Sequence, residues 1–305
     1  MRAHRPIRIF ALLAGIGLTI GLCATGKAQT ADTAAAAPLR GPFVSSVTPT
    51  SARVHWIGAP ELRAVLRLLD APADARVAAA ETSPIPDRNE VRFSAAIENL
   101  RPDRTYRYAL DDGDSAIEGR FRTPPEIGRR APFHFVVTGD TQHHPIRIQA
   151  IAAGILRETP AFVLHTGDLS NDTRNWALLG AEFFEPWRDV LRWTALWTAR
   201  GNHEYGLEPY ASIFGIPPEA PWHSFDYGNL HVVVLDQWNV AGSERMEPER
   251  LAEMARWLDR DLAAARPRAD WIVVAGHQPE GTLGFIHVRA VADAPGLPSS
   301  IRATS

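Results

Sequence analysis

Between Phe133 and Gln278 one pattern recurs four times: an apolar run of strand length closes on a small polar cluster. FHFVVTGD ends on Asp140, AFVLHTGD on Asp168, TALWTARGNHE on Asn202 and His203, and WIVVAGHQ on His277. Segments with helical spacing lie between them: IRIQAIAAGILRE, NWALLGAEFFEPWRDVL and ERLAEMARWLDRDLAAA. NLHVVVLDQ adds a further apolar run. Uniformly apolar runs of this length suit strands buried on both faces, and their alternation with helices predicts an α/β layered domain, here residues 131–305. Ligands of such sheets bind beyond the carboxyl ends of the strands, so the four clusters can converge on one site although they are distant in sequence.

The preceding segment, residues 41–125, has a different rhythm. FVSSVT, SARVHWIG, AVLRLLD, VRFSAAI, TYRYALDD and EGRFRT are short, alternating and separated by turn residues, with Asp111–Asp114 (DDGD) reading as a hairpin turn. Several short strands at about ten-residue spacing predict an all-β sandwich. Trp56 closes an alternating strand where a core Trp would sit, and LRPDRTYRY sets Tyr106 after a Leu and a Pro. These two residues make the segment resemble a fibronectin type III-like sandwich; ordinary core aromatics are the alternative, and it is compatible with the same fold. Pro124 and Pro125 mark the boundary, since consecutive prolines cannot continue a ladder.

Charge separates the N-terminus from the rest. The 305 residues hold 32 basic and 35 acidic side chains. Four of the basic ones (Arg2, Arg5, Arg8, Lys27) precede residue 29 and no acid does, leaving 28 against 35, or about −7, for the remainder. That balance excludes bulk nucleic-acid binding, which needs a basic face. The basic start, the apolar stretch Ile9–Cys23 and the small residues leading to Ala28 predict an export signal over residues 1–28, hence a periplasmic or extracellular protein with no membrane span after cleavage. An uncleaved anchor is the alternative, but the apolar run is short of the ~20 residues a span needs. A lipoprotein fits less well, because Leu22 before Cys23 is large. Cys23 is the only cysteine, so the mature chain needs no disulfide. The Ala-rich residues 29–40 read as a flexible linker.

Each polar cluster alone is a weak signal, because an Asp after a strand is often a helix cap and a His there is often structural. Order and kind carry more: two carboxylates, an amide with an adjacent His, then a His, all at strand ends. The series GDTQ, GDLSND, GNHE and AGHQP resembles the calcineurin-like metallophosphoesterases, and the preceding sandwich makes purple acid phosphatases the nearest branch. The likeness runs from about residue 41 to about 280 and includes SFDYGNLHVVVLD (Ser224–Asp236). It implies a four-layer αββα sandwich of two mixed sheets flanked by helices, and an exported phosphoesterase acting on small-molecule phosphate esters with two metal ions drawn from iron, zinc and manganese. By the same resemblance Asp140 binds the first metal, Asp168 bridges both, and Asn202 and His277 bind the second. His203 contacts the phosphoryl group as the catalytic residue, with an orienting role as its alternative.

The departures from the family are also informative. Gln142 stands where many members carry a His, and Asn171 stands where purple enzymes carry the tyrosinate that gives their colour, so no such colour is expected. His143 and His144 border the site loop, facing either substrate or solvent; His165, His223 and His231 read as structural. The family's closing GHxH motif has no counterpart, and TLGFIHVRAVADAPGLPSSIRATS after Gly281 shows no convincing strand or helix pattern. The expectation is therefore a truncated or frameshifted product, an incomplete domain with impaired activity. A non-catalytic extracellular binding protein with a remnant phosphoesterase domain is the competing class.

Overall fold

The computed structural model describes residues 40–113, 115–242, 244 and 246–278, together with the backbone of 287–290 and 301–302. The expected signal, nearly all of the linker and most of the stretch after Gly281 lie outside the described residues.

The N-terminal half supplies β1 (Arg40–Ser45), β2 (Ala52–Gly58), β3 (Val65–Leu68), β4 (Arg76–Val77), β5 (Glu81–Pro84), β6 (Val91–Glu98), β7 (Thr105–Asp111) and β8 (Ala116–Arg122). Strands β7 and β8 form the hairpin expected around DDGD, closed by the Asp111–Ala116 pair. Sheet β3-β7-β8 faces β4-β6-β2-β1, with β5 also on β6. Trp56, stacked on Phe93 at 5.5 Å, lies between these sheets with Tyr106, Tyr108 and Phe121. The Tyr106 hydroxyl accepts the Arg101 N–H at 2.7 Å, five residues upstream, and so ties the β7 corner to the chain leading into it.

The second half continues with β9 (Val136–Thr138), α1 (Pro145–Glu158), β10 (Phe162–His165), α2 (Trp176–Leu179), a π-helical turn (Gly180–Phe184), α3 (Arg188–Trp193), β11 (Ala195–Thr198) and α4 (Leu207–Phe214). There follow β12 (His223–Tyr227), β13 (Leu230–Val234), α5 (Pro248–Ala265), β14 (Trp271–Ala275), β15 (His287–Ala290) and β16 (Ile301–Arg302). Strands β9, β10 and β11 are mutually parallel, and β12-β13-β14-β15-β16 form a second, mixed sheet. Phe162, Leu164 and Ala195 of the first sheet pack against Phe225, Val232, Val234 and Val273 of the second. The outer face of the first sheet is covered by Ile148, Ala152 and Ile155 of α1 and by Val190 and Leu191 of α3. Helix α5 joins the outer side of the second sheet through Asp261, which bonds both Ser224 and His231.

The structure differs from the sequence reading at three points. The segment expected as one helix, NWALLGAEFFEPWRDVL, breaks into α2, the π turn and α3, because Pro186 offers no N–H to continue the ladder. The stretch after Gly281, read as patternless, contains β15, which pairs antiparallel with β14. The sandwich and the α/β segment share a sheet: β1 pairs parallel with β11 at Val44–Ala195. The β1–β2 face turned away from the sandwich core is buried as well, with Phe43 against Phe184 and Phe214 at 6.5 and 5.9 Å and with Ile57 in the same cluster.

Candidate metal centre

The loops after β9, β10, β11 and β14 all leave at carboxyl ends and meet. Backbone bonds join the first two, Asp140 N–H to Gly167 O at 3.0 Å and Thr141 N–H to Asp168 O at 3.2 Å. Both aspartates adopt the left-handed region, φ 53° at Asp140 and 58° at Asp168, which non-glycine residues seldom occupy. Such conformations persist where the surroundings over-determine them, as at ligand sites. Two glycines permit the close approach: a Cβ on Gly167 would come within 2.6 Å of Gly201 N, and one on Gly201 would overlap Asp168 Oδ1.

Asp140, Asp168 and His277 each offer a ligand atom, and these atoms lie within 4.8 Å of one another. Asn202 Oδ1 is 3.0 Å from His277 Nε2, and Asp168 Oδ1 is 3.5 Å from the same nitrogen. The carbonyl of Thr166, 2.9 Å from His277 Nδ1, can only accept. Nδ1 therefore carries the proton, and in the neutral ring the Nε2 lone pair faces two oxygens. Three lone-pair donors converging on one point suit a cation, and a backbone carbonyl orienting a ligating imidazole is the usual arrangement around one. Burial chiefly, and the Asp168 carboxylate after it, raise the Asp140 pKa, with His277 and His203 pulling the other way. Two carboxylates held this close repel one another, which favours a positive partner between them.

His203 stands beside this cluster. Its N–H donates to Asp168 Oδ1 at 3.0 Å and its Nδ1–H to the Asn171 carbonyl at 2.7 Å, leaving Nε2 on the site side, 3.9 Å from Asp168 Oδ2. All five residues singled out from sequence, Asp140, Asp168, Asn202, His203 and His277, are thus brought together. Gln142 donates to Asp168 Oδ2 at 3.1 Å, while its Oε1 is buried without a hydrogen-bond partner. His143 sets its ring edge-on to His203 with centroids 6.0 Å apart, and His144 precedes the first turn of α1.

His165 lies beneath the loops. Its Nδ1 accepts the Gly167 N–H at 3.2 Å, so Nε2 carries the proton and donates to Thr141 Oγ1 at 2.9 Å. Burial pushes its pKa down to about 3, which keeps the ring neutral. His223 and His231 lie in the second sheet; His231 is held between Asp226 and Asp261 at 2.9 and 2.8 Å.

Sequence reasoning missed two buried glutamates. Glu204 accepts the N–H groups of Gly201, Asp168 and Leu169 at 2.5, 2.9 and 2.7 Å, joining two site loops through one carboxylate. Burial and then Asp168 raise its pKa to about 7, and the three N–H donors oppose the rise. Its place three residues after Gly201 is the spacing at which a Glu commonly satisfies free N–H groups at a helix start, so a signal existed. Glu182, on the π turn, accepts the N–H groups of His143 and Asn171 at 3.3 and 2.6 Å. Nothing in the residue pattern announces it.

Residues 133–300 match the family model of calcineurin-like phosphoesterases. The chain is 27% identical over 208 residues to the purple acid phosphatase of Glycine max, over 60% of this chain and 42% of that protein. It is 27% identical over 207 residues to the phosphoenolpyruvate phosphatase of Allium cepa, over 60% of this chain and 40% of that protein. Purple acid phosphatase 1 of Ipomoea batatas is likewise 27% identical over 208 residues, with 60% and 42% covered. The chain thus spans about two fifths of the length of the curated relatives it matches.

Proposed function

Because the chain belongs to the calcineurin-like phosphoesterase family, we propose that it is a metal-dependent hydrolase of small-molecule phosphate esters. In this reading Asp140, Asp168, Asn202 and His277 are the metal donors and His203 meets the phosphoryl group. The observation that carries it is the convergence of His277 Nε2, Asn202 Oδ1 and Asp168 Oδ1 with His277 Nδ1 committed to Thr166 O. Metal ions bound there would activate water and polarise a phosphoryl oxygen.

The protein's own groups do the rest. Asp168 turns Oδ1 toward His277 and Oδ2 toward Gln142, which suits a carboxylate shared between two ions. His203, its Nδ1–H fixed by Asn171 O, has Nε2 free to carry a proton to the leaving oxygen, a role that suits the imidazole pKa range. Iron, zinc and manganese all suit this mixed oxygen and nitrogen set. Relatives named purple acid phosphatase and phosphoenolpyruvate phosphatase favour phosphomonoesters over diesters. Asn171 in place of a tyrosinate implies an iron form without tyrosinate-to-iron colour.

The reading extends to the N-terminus. Residues 1–28 would direct export to the periplasm or beyond the cell, and a secreted product beginning at Gln29 is the test. The sandwich would be of the fibronectin type III-like kind, supported by the Tyr106–Arg101 tie. For the function itself, the experiment is turnover of a generic aryl phosphate by the metal-loaded chain beside Asp168→Asn. Hydrolysis that the substitution abolishes supports the reading, and hydrolysis that survives it refutes the site.

A further inference from the structure

Glu182 is buried, and both of its oxygens are spent on loop backbone. A buried carboxylate is costly unless fully hydrogen-bonded, and the two loops are already registered by the Asp140–Gly167 and Thr141–Asp168 backbone bonds. The extra brace falls elsewhere: on His143, next to the first loop's turn, and on Asn171, three residues past Asp168. It also comes from a π turn, a rare geometry found mostly at functional sites.

Both braced positions lead to an imidazole. Asn171 O takes the Nδ1–H of His203 at 2.7 Å, so the orientation of that carbonyl fixes which nitrogen of His203 faces the site. His143 is held at φ 78°, left-handed and strained for a His, with its side chain exposed and edge-on to the His203 ring. Arg174, in the loop that carries Asn171, is committed to Asp172 at 2.9 Å and lies over the Tyr205 ring at 4.2 Å. The two imidazoles are therefore the groups placed to meet an anion drawn to metal ions held by the cluster.

We infer that Glu182 is a positioning residue that sets His143 and His203 as a pair, and that His143 contacts the oxygens of the phosphoryl group. The inference rests on the phosphoesterase reading, and its test separates the two. The probe is inorganic phosphate, titrated calorimetrically into the metal-loaded full chain and its His143→Ala, Glu182→Gln and Asp168→Asn variants, with metal content measured for each. Glutamine keeps the volume of Glu182 but turns an N–H against one of the two backbone donors.

His143→Ala is expected to weaken phosphate binding about tenfold, the effect of one hydrogen bond to a charged group, with metal content unchanged. Glu182→Gln weakens it at least as much, and the double variant no further than Glu182→Gln alone, since the residues act as a unit. Imidazole nitrogen NMR of the metal-free protein gives a readout independent of binding: His203 is a single Nδ1–H tautomer in the wild type and a mixture in Glu182→Gln. Phosphate binding that Asp168→Asn abolishes but His143→Ala leaves intact overturns this inference and spares the phosphoesterase reading. An unchanged His203 tautomer in Glu182→Gln overturns the positioning role. Absence of phosphate binding by the metal-loaded wild type overturns both.

Discussion

At Asp168 a single carboxylate meets three partners: the His203 N–H at 3.0 Å, the Gln142 amide at 3.1 Å and the His277 imidazole at 3.5 Å. None of these holds its backbone, which bonds to Glu204 through its N–H and to the Thr141 N–H through its carbonyl. Asp168→Asn should therefore remove metal and turnover while shifting the thermal midpoint by only a few degrees, which metal analysis beside calorimetry will separate. Glu204 behaves in the opposite way. Glu204→Ala would strand three buried N–H donors, at about 1 kcal/mol each even at the low end, so a loss of at least ~3 kcal/mol in urea unfolding is expected. The convergence of Asp140, Asp168, Asn202 and His277 was legible because their residue types recur at strand ends. The Thr166 and Asn171 carbonyls that orient the imidazoles were not, because a backbone acceptor leaves no mark on residue type.

At the scale of elements, the strand ends needed for the site follow from the apolar runs, and β9, β10, β11, β13 and β14 all fall within the segments that predict them. Interruptions were harder to read. The π turn arises where an apolar, helically spaced segment meets Pro186, and periodicity reports the helical rhythm without its break. What locks the two sheets together at the site end is also hidden in sequence. Arg200, after β11, forms a buried ion pair with Asp236, after β13, at 2.8 Å, and donates to the carbonyls of Trp238 and Asn239. Removing one partner of such a pair leaves an uncompensated charge, so Asp236→Asn should cost about 3–5 kcal/mol in chemical denaturation. A loss under about 1 kcal/mol would mean that the pair does not brace the sheets.

For the molecule as a whole, two domains meeting at the prolines were the reasonable sequence reading, since local patterns change there and a single long-range pairing such as β1 with β11 has no local signature. The shared sheet and the burial of Phe43 and Ile57 beneath α/β side chains predict one calorimetric unfolding transition for both halves. His55 lies at this seam, stacked on Phe43 at 5.0 Å, and burial pushes its pKa down to about 3. Its folded pKa is below the unfolded value near 6.5, so the unfolded chain takes up a proton and stability is lost as pH falls below 6.5. His55→Gln removes that term: its stability deficit at pH 7.5 should shrink by on the order of 2 kcal/mol at pH 5. His231 has the reverse sign. Although burial lowers its pKa, the bonds to Asp226 and Asp261 prevail and raise it, so its contribution is complete below 6.5 and declines as pH rises through the raised value. Comparing His231→Asn with the wild type at pH 6 and pH 9 should show the larger deficit at pH 6.

The most direct test of the account is the metal retained after loading with iron, zinc or manganese and exhaustive dialysis, measured for the wild type beside Asp168→Asn. The account predicts tightly held metal in the wild type and its loss in the variant. Equal, weakly held metal in both proteins would contradict it.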